Sequence, residues 1–209
     1  MSPARIEPAA ASPDTRAVIL EQAQFLIRTR GYSAFSYADL AAKARITKAA
    51  VHYHFPTKEA LVQLLVNDYV GQVDAILSTI SRQNDDAIAR LRTYAQIFAD
   101  GFDNGMLPLC GALSAERAAL PASVYPQLND IFQMQLDWLA SVLKAGRKAG
   151  TLRADIAPRQ MAGVLLSVLE GGVLIGWAME RKAAVLAAFE AVLQGIRLSA
   201  APRKTKQSR

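Results

Sequence analysis

Lys48, Ala49, His52 and Tyr53 recur at the spacing of one side of an α-helix, and together they offer an ammonium, a methyl, an imidazole and a phenol. A short helix with such a face, held from behind by apolar residues, suits a DNA major groove, where base edges present donors, acceptors and methyl groups. The elements that must hold it are written in residues 36–61, SYADLAAKARITKAAVHYHFPTKEAL. Ser36, with Asp39 three residues on, makes a capping-box pattern for a first helix whose Leu40 and Ala41 face inward. Ala44-Arg45-Ile46 makes a turn. Thr47 then caps the second helix, and Val51 and Phe55 pack back against the first. Pro56 stops that helix and Thr57 caps a third. Beside the outer face, Lys58 and Ser36 suit phosphate contacts, which position a protein without specifying sequence. His54 is either a ring packed at the helix end or a further phosphate contact.

Other chemistry is sparse. His52 and His54, the two histidines, lie two residues apart on different sides of a helix, without an adjacent Cys or acidic partner, so no metal site is expected. No nucleotide-binding loop, nucleophile elbow or HExxH motif is present, and Gly171-Gly172 with Gly176 falls inside an apolar helix rather than after a strand. We therefore expect no enzyme, no catalytic residues and no cofactor. The single cysteine, Cys110, excludes an internal disulfide framework and fits a reducing cytoplasm, and the Ala/Pro-rich first 13 residues do not read as a signal peptide.

Apolar residues make up 52% of the 209 and charged ones only 20%, which indicates a globular chain with much hidden surface. Residues 1–70 hold 8 basic and 6 acidic groups, residues 71–202 hold 12 of each, and the end RKTKQSR adds 4 basic groups. The first 70 residues are thus only mildly basic, so the case for DNA rests on the motif rather than on charge.

The periodicity reads as helices throughout. Residues 1–13 form an arm, and a helix follows from about Thr15 to Arg30, with Ile19, Leu20, Ala23, Leu26 and Ile27 on its apolar face and Gly31 at its C-terminal cap. Thr57 starts a long helix to about Ile80, and further helices fall near 85–104, 108–119, 123–149, 158–181 and 183–198. Residues 161–179, MAGVLLSVLEGGVLIGWAM, carry a single charge, Glu170, and are just long enough to span a bilayer. A central Glu costs roughly 2.5–3.5 kcal/mol in a membrane on insertion scales, so a helix buried on nearly all sides, with no membrane partner, is the preferred reading.

Residues 36–61 resemble the helix-turn-helix of the TetR-like transcriptional regulators, through Thr47, Lys48, Val51, His54, Phe55, Thr57, Lys58 and Leu61, and the likeness extends back through TRAVILEQAQFLIRTRGYSAFS. Two positions depart from it. Arg45 stands where the family's turn usually holds Gly, and His52 where Tyr is usual. The resemblance implies an all-α fold: an N-terminal three-helix DNA-binding domain over 14–60, then a C-terminal helical ligand-binding and dimerisation domain over 61–200, with a basic tail over 201–209. It also implies a cytoplasmic, dimeric, ligand-responsive regulator, a repressor released from a palindromic operator by a small-molecule effector of unknown identity. The residues expected at double-stranded DNA are Ser36, Tyr37, Thr47, Lys48, Ala49, His52, Tyr53, His54 and Lys58.

By the same resemblance the last two long helices form a homodimer interface. Gly172 and Gly176 would admit a close neighbouring helix, and Val185, Leu186, Phe189, Val192, Leu193 and Ile196 fit the second helix. The effector pocket lies among Tyr94, Phe98, Phe102, Cys110, Leu113, Met134, Trp138, Glu170, Leu174 and Trp177. Glu170 needs a partner there, whether a ligand amine, Arg117 or a group across the dimer. MLPLCGALSAERAAL, residues 106–120, resembles a segment in a subgroup whose cysteines sense electrophiles or oxidants. Cys110 is therefore either such a sensor or a small packed residue. The rival class is a helical small-molecule binding protein with a vestigial helix-turn-helix.

Overall fold

The structure, a computed structural model, describes residues 13–181 and 183–198. The expected arm, apart from Pro13, and the basic tail lie outside the described residues. The described chain is all-α. Its helices are α1 (Pro13–Arg30), α2 (Tyr37–Ala44), α3 (Lys48–His54), α4 (Lys58–Gln83), α5 (Ala87–Asp103), α6 (Leu109–Ala115), α7 (Tyr125–Lys148), α8 (Pro158–Ala178) and α9 (Ala183–Ile196). Two 3-10 turns, Arg117–Ala119 and Ala122–Val124, stand where a longer sixth helix was expected. α6 stops at Ala115 because Glu116 leaves the helical region at φ −107°, ψ 25°, and the second stop comes at Leu120, which precedes Pro121 and is extended at φ −78°, ψ 147°. α8 also ends sooner than expected, because Glu180 turns left-handed at φ 52° and the Arg181 amide closes back on the Gly176 carbonyl at 2.8 Å.

Two compact units result, Met1–Val73 with Gly105–Ile131, and Asp74–Asn104 with Phe132–Arg209. They divide the chain differently from the expected boundary after residue 60. The segment 105–131 belongs with the first unit because α6 packs on α1, and Leu109 and Leu113 are buried in that core beside Ile19, Leu26, Leu40, Val51, Leu61 and Leu65. Each such side chain contributes about 1.5–3 kcal/mol on burial.

In the second unit α8 packs along α9, and α5 packs on both. Gly172 and Gly176 do admit a close helix, but it is the chain's own α9. A Cβ at Gly172 would stand 3.4 Å from the Val185 Cα, and one at Gly176 would stand 3.0 Å from the Arg181 carbonyl oxygen and 3.3 Å from the Phe102 ring. Of the α9 residues expected at a homodimer interface, four are taken up by the chain's own packing and two are not. Val185, Phe189, Leu193 and Ile196 are buried within their own unit, with Leu186 and Val192 half-buried. What stays open on α8 is Val164, Leu174, Ile175 and Trp177, followed by Met179. α8 has a mean hydropathy of 1.7 and the length to cross a membrane, and it lies packed against α5 and α9.

Candidate nucleic-acid interface

The capping pattern at Ser36 closes in both directions. The Ser36 hydroxyl accepts from the Asp39 amide at 3.3 Å, and the Ser36 amide donates to the Asp39 carboxylate at 2.8 Å. The Ser36 hydroxyl, then its amide, hold the Asp39 carboxyl below its ordinary range. Arg45 takes the turn itself, in the left-handed region at φ 56°, ψ 40°, where glycine is the unstrained choice. Thr47 caps α3, its hydroxyl accepting from the Ala50 amide at 3.1 Å.

α3 is then pinned from behind. Val51 and Phe55 are buried, and the Tyr37 hydroxyl donates to the Phe55 carbonyl at 2.9 Å, holding the end of α3 to the start of α2. Burial pushes the Tyr37 phenol up to about 12, so it stays a donor. Tyr37 is therefore a support for α3 and not an exposed DNA contact, because its hydroxyl is engaged inside. Its ring meets His52 edge-on at 4.7 Å, which steers the imidazole on the outer side.

Thr47, Lys48, Ala49, His52 and Tyr53 are all exposed, Tyr53 to 77%. The expected face is thus assembled on one helix, with Ser36 exposed nearby in sequence at the α2 cap. Arg45, outside the expected set, is also exposed in the turn that leads into α3, and its guanidinium adds a cation there. Its type was the signal. His54 is half-buried, with its Nε2 buried and without a hydrogen-bond partner among the described residues, and its ring meets Tyr53 edge-on at 5.5 Å.

Lys58 is corrected. Its ammonium turns inward, donating to the Tyr32 carbonyl at 2.5 Å and the Phe35 carbonyl at 2.7 Å while lying 4.4 and 4.1 Å from the two ring centres. Burial lowers its pKa, partly offset by Glu116 and Asp39. An ammonium so engaged is not available to a phosphate.

The residues expected around an effector divide between the units. Cys110 and Leu113 are buried in the first, whereas Tyr94, Phe98, Phe102, Met134, Trp138, Glu170, Leu174 and Trp177 belong to the second. In the second unit Tyr94 lies 5.3 Å from both Phe98 and Trp138, and its hydroxyl donates to Gln135 at 2.7 Å. The Trp138 indole N–H donates to the Ser81 hydroxyl at 2.9 Å. Gln135 was missed, although its place between Ile131 and Leu139 on the buried stripe of α7 marks it as a polar group needing a partner. Phe102 meets Trp177 edge-on at 6.0 Å. Leu174 is 50% exposed and Trp177 39%, so this part of α8 is an open face.

Glu170 sits in the apolar helix with no hydrogen bond or ion pair among the described residues, and burial pushes its carboxyl up to about 7. Arg117, one expected partner, instead lies over the Tyr125 ring at 4.0 Å. Among the described residues no group of three or more His, Cys, Asp or Glu is placed to hold a metal ion.

Comparison with known proteins gives the same outline. A family model described as bacterial regulatory proteins, tetR family, matches residues 19–65. The HTH-type transcriptional repressor DhaR of Mycobacterium sp. (strain GP1) is 26% identical over 157 residues, 75% of this chain and 79% of that protein. The HTH-type transcriptional regulator EthR of Mycobacterium tuberculosis is 25% identical over 170 residues, 80% of this chain and 78% of that protein. The crystal structure of a TetR-family regulator from Agrobacterium tumefaciens superposes with a TM-score of 0.84 at 28% identity, covering 88% of this chain and 98% of that one.

Proposed function

Because this chain belongs to the TetR family of DNA-binding transcription regulators, we propose that it is a repressor. In this reading it binds a palindromic operator as a homodimer and is released by a small-molecule effector. The observation that carries the reading is the free side of α3: Thr47, Lys48, Ala49, His52 and Tyr53 exposed together on a helix whose other side is fastened by Val51, Phe55 and Tyr37. Two such helices related by a two-fold axis would enter successive major grooves about 34–36 Å apart. The open apolar face of α8, with Val164, Leu174 and Ile175, is the surface a second copy would cover, since apolar patches of this kind mark association surfaces.

The effector belongs to the second unit in this reading, and Glu170 and Trp177, seven residues apart on one side of α8, border its place. Differential affinity of the effector for two arrangements of the protein is what would shift operator occupancy, with α4 as the connecting helix. The test is selection of duplexes from a random-sequence pool, then gel shift of the selected site at increasing salt. A repressor of this kind retains a palindromic site and loses affinity steeply with salt. A protein that retains no duplex, yet still binds small molecules in a thermal-shift screen, would instead be the helical binding protein with a vestigial motif.

A further inference from the structure

The corner between α1 and α2, residues 31–35, delivers the chain to Ser36, the cap of the first motif helix. α1 ends at Gly31 with φ +94°, and a Cβ built on Gly31 would collide with the Glu116 carboxylate. Glycine is required here by its backbone angle, and any Cβ would also push the Glu116 carboxylate from its place. That carboxylate accepts from the Ser33 amide at 2.9 Å. The Lys58 ammonium holds the Tyr32 and Phe35 carbonyls of the same corner, within electrostatic reach of Glu116. Glu116 closes α6, in the segment 105–131 that follows α5 directly, and the segment has further ties to the motif's supports. Leu107 and Arg28 bond reciprocally, the Leu107 amide to the Arg28 carbonyl at 3.0 Å and the Arg28 Nε to the Leu107 carbonyl at 2.7 Å. The Ser123 hydroxyl donates to Glu59, in the first turn of α4, at 2.7 Å.

We infer that Glu116 is a positioning residue for operator reading: brought by the 105–131 segment, its carboxylate holds the 31–35 corner and so sets where α2 and α3 begin. The hydrogen-bond partners of the Glu116 carboxylate among the described residues are in the corner and not on the exposed α3 face. Its effect on DNA runs through the backbone of the corner, and a displacement of the segment withdraws it. The inference rests on the reading that α3 binds DNA, and it adds the control point for that binding. Burial by itself would raise the Glu116 carboxyl, but the Ser33 and Tyr32 hydrogen bonds and the Lys58 charge outweigh it, and the group stays ionised as the clasp requires.

The test uses full-length wild type, Glu116→Ala and Glu116→Gln, compared at a temperature where melting curves show all three folded. Loss of a hydrogen bond to a charged acceptor should weaken binding of the selected operator about tenfold in Glu116→Ala, and less in Glu116→Gln, whose amide oxygen still accepts. The slope of affinity against salt should stay unchanged, because no phosphate contact is removed. Hydrogen exchange at the Ser33 amide should rise about tenfold. Faster Ser33 exchange with wild-type affinity would overturn the proposal, since the corner would then not position the motif. A changed salt slope would also overturn it, by making Glu116 part of a direct DNA contact. If wild type retains no duplex, DNA reading itself has failed. The exchange of the α2 amides then decides the clasp, faster in Glu116→Ala supporting it and unchanged overturning it.

Discussion

The reading motif and the α8–α9 pair solve opposite physical problems. Around α2 and α3 a small apolar core of Leu40, Val51 and Phe55 is framed by polar, directional bonds: Ser36 with Asp39, Thr47 with the Ala50 amide, Tyr37 with the Phe55 carbonyl, Lys58 with two carbonyls. Along α8 and α9 the packing is apolar, with Leu165, Leu169 and Val173 buried on one helix, Val185, Phe189 and Leu193 buried on the other, and Gly172 facing the Val185 backbone. Directional bonds specify one geometry, and where both partners lie within a turn of each other, as at Ser36 and Thr47, they leave a signature of residue types in sequence. Apolar contact is non-directional, so many sequences satisfy it and few residues in it announce their partner.

The largest effect should separate inner from outer positions on α8. Gly176→Leu forces a side chain against the Arg181 carbonyl and the Phe102 ring, and overpacking of this kind costs about 1–3 kcal/mol, occasionally more. We expect a lower melting temperature from it, and from Ile175→Glu a loss of association in sedimentation with the fold retained. A dimer weakened by the glycine change at an unaltered melt would place Gly176 at the outer surface and undo the contrast.

On the reading side, Lys48→Ala and Tyr53→Ala should each weaken operator binding while leaving the dimer intact, by about 1–3 kcal/mol for Lys48 if it meets a base edge. Unchanged affinity in both would mean that α3 docks by another face.

Glu170 is the polar exception in the apolar region, and pH reads its state. Its folded pKa of about 7 lies above the ordinary 4.5, so the folded protein binds more protons across that window. Stability should accordingly fall as pH rises from about 4.5 to about 7 and level off above. Melting temperatures of wild type and Glu170→Gln, compared from pH 5 to pH 8, should diverge in favour of the variant. A constant difference would show that the assembled protein supplies the carboxylate with a cation.

The smallest effect belongs to the turn. Arg45→Gly relieves a left-handed residue and should raise stability by about 1 kcal/mol, within reach of a denaturant titration. Operator affinity of the same variant reports whether the exposed guanidinium touches DNA.

Much of the motif could be read directly. Ser36, Asp39, Thr47 and Pro56 act on residues within a turn of themselves, so caps, turn and outer face follow from spacing. Lys58 and Tyr37 could not be read this way, because what engages them lies 18 to 26 residues away, and a lysine in a first turn looks the same whether it faces phosphate or two carbonyls. The same limit applies to α9, whose Val185 and Phe189 are apolar whichever helix covers them.

Sequence alone determined the helical class, the limits of most helices and the identity of the exposed α3 side chains, since these depend on period, caps and breakers acting over a few residues. Tertiary structure alone decided that residues 105–131 join the reading unit, that Glu116 and Lys58 bond to one corner, and that the α8 glycines lie against neighbouring parts of the same chain. Those outcomes depend on which distant surfaces meet, and non-directional burial leaves that choice to the whole packing rather than to any local pattern.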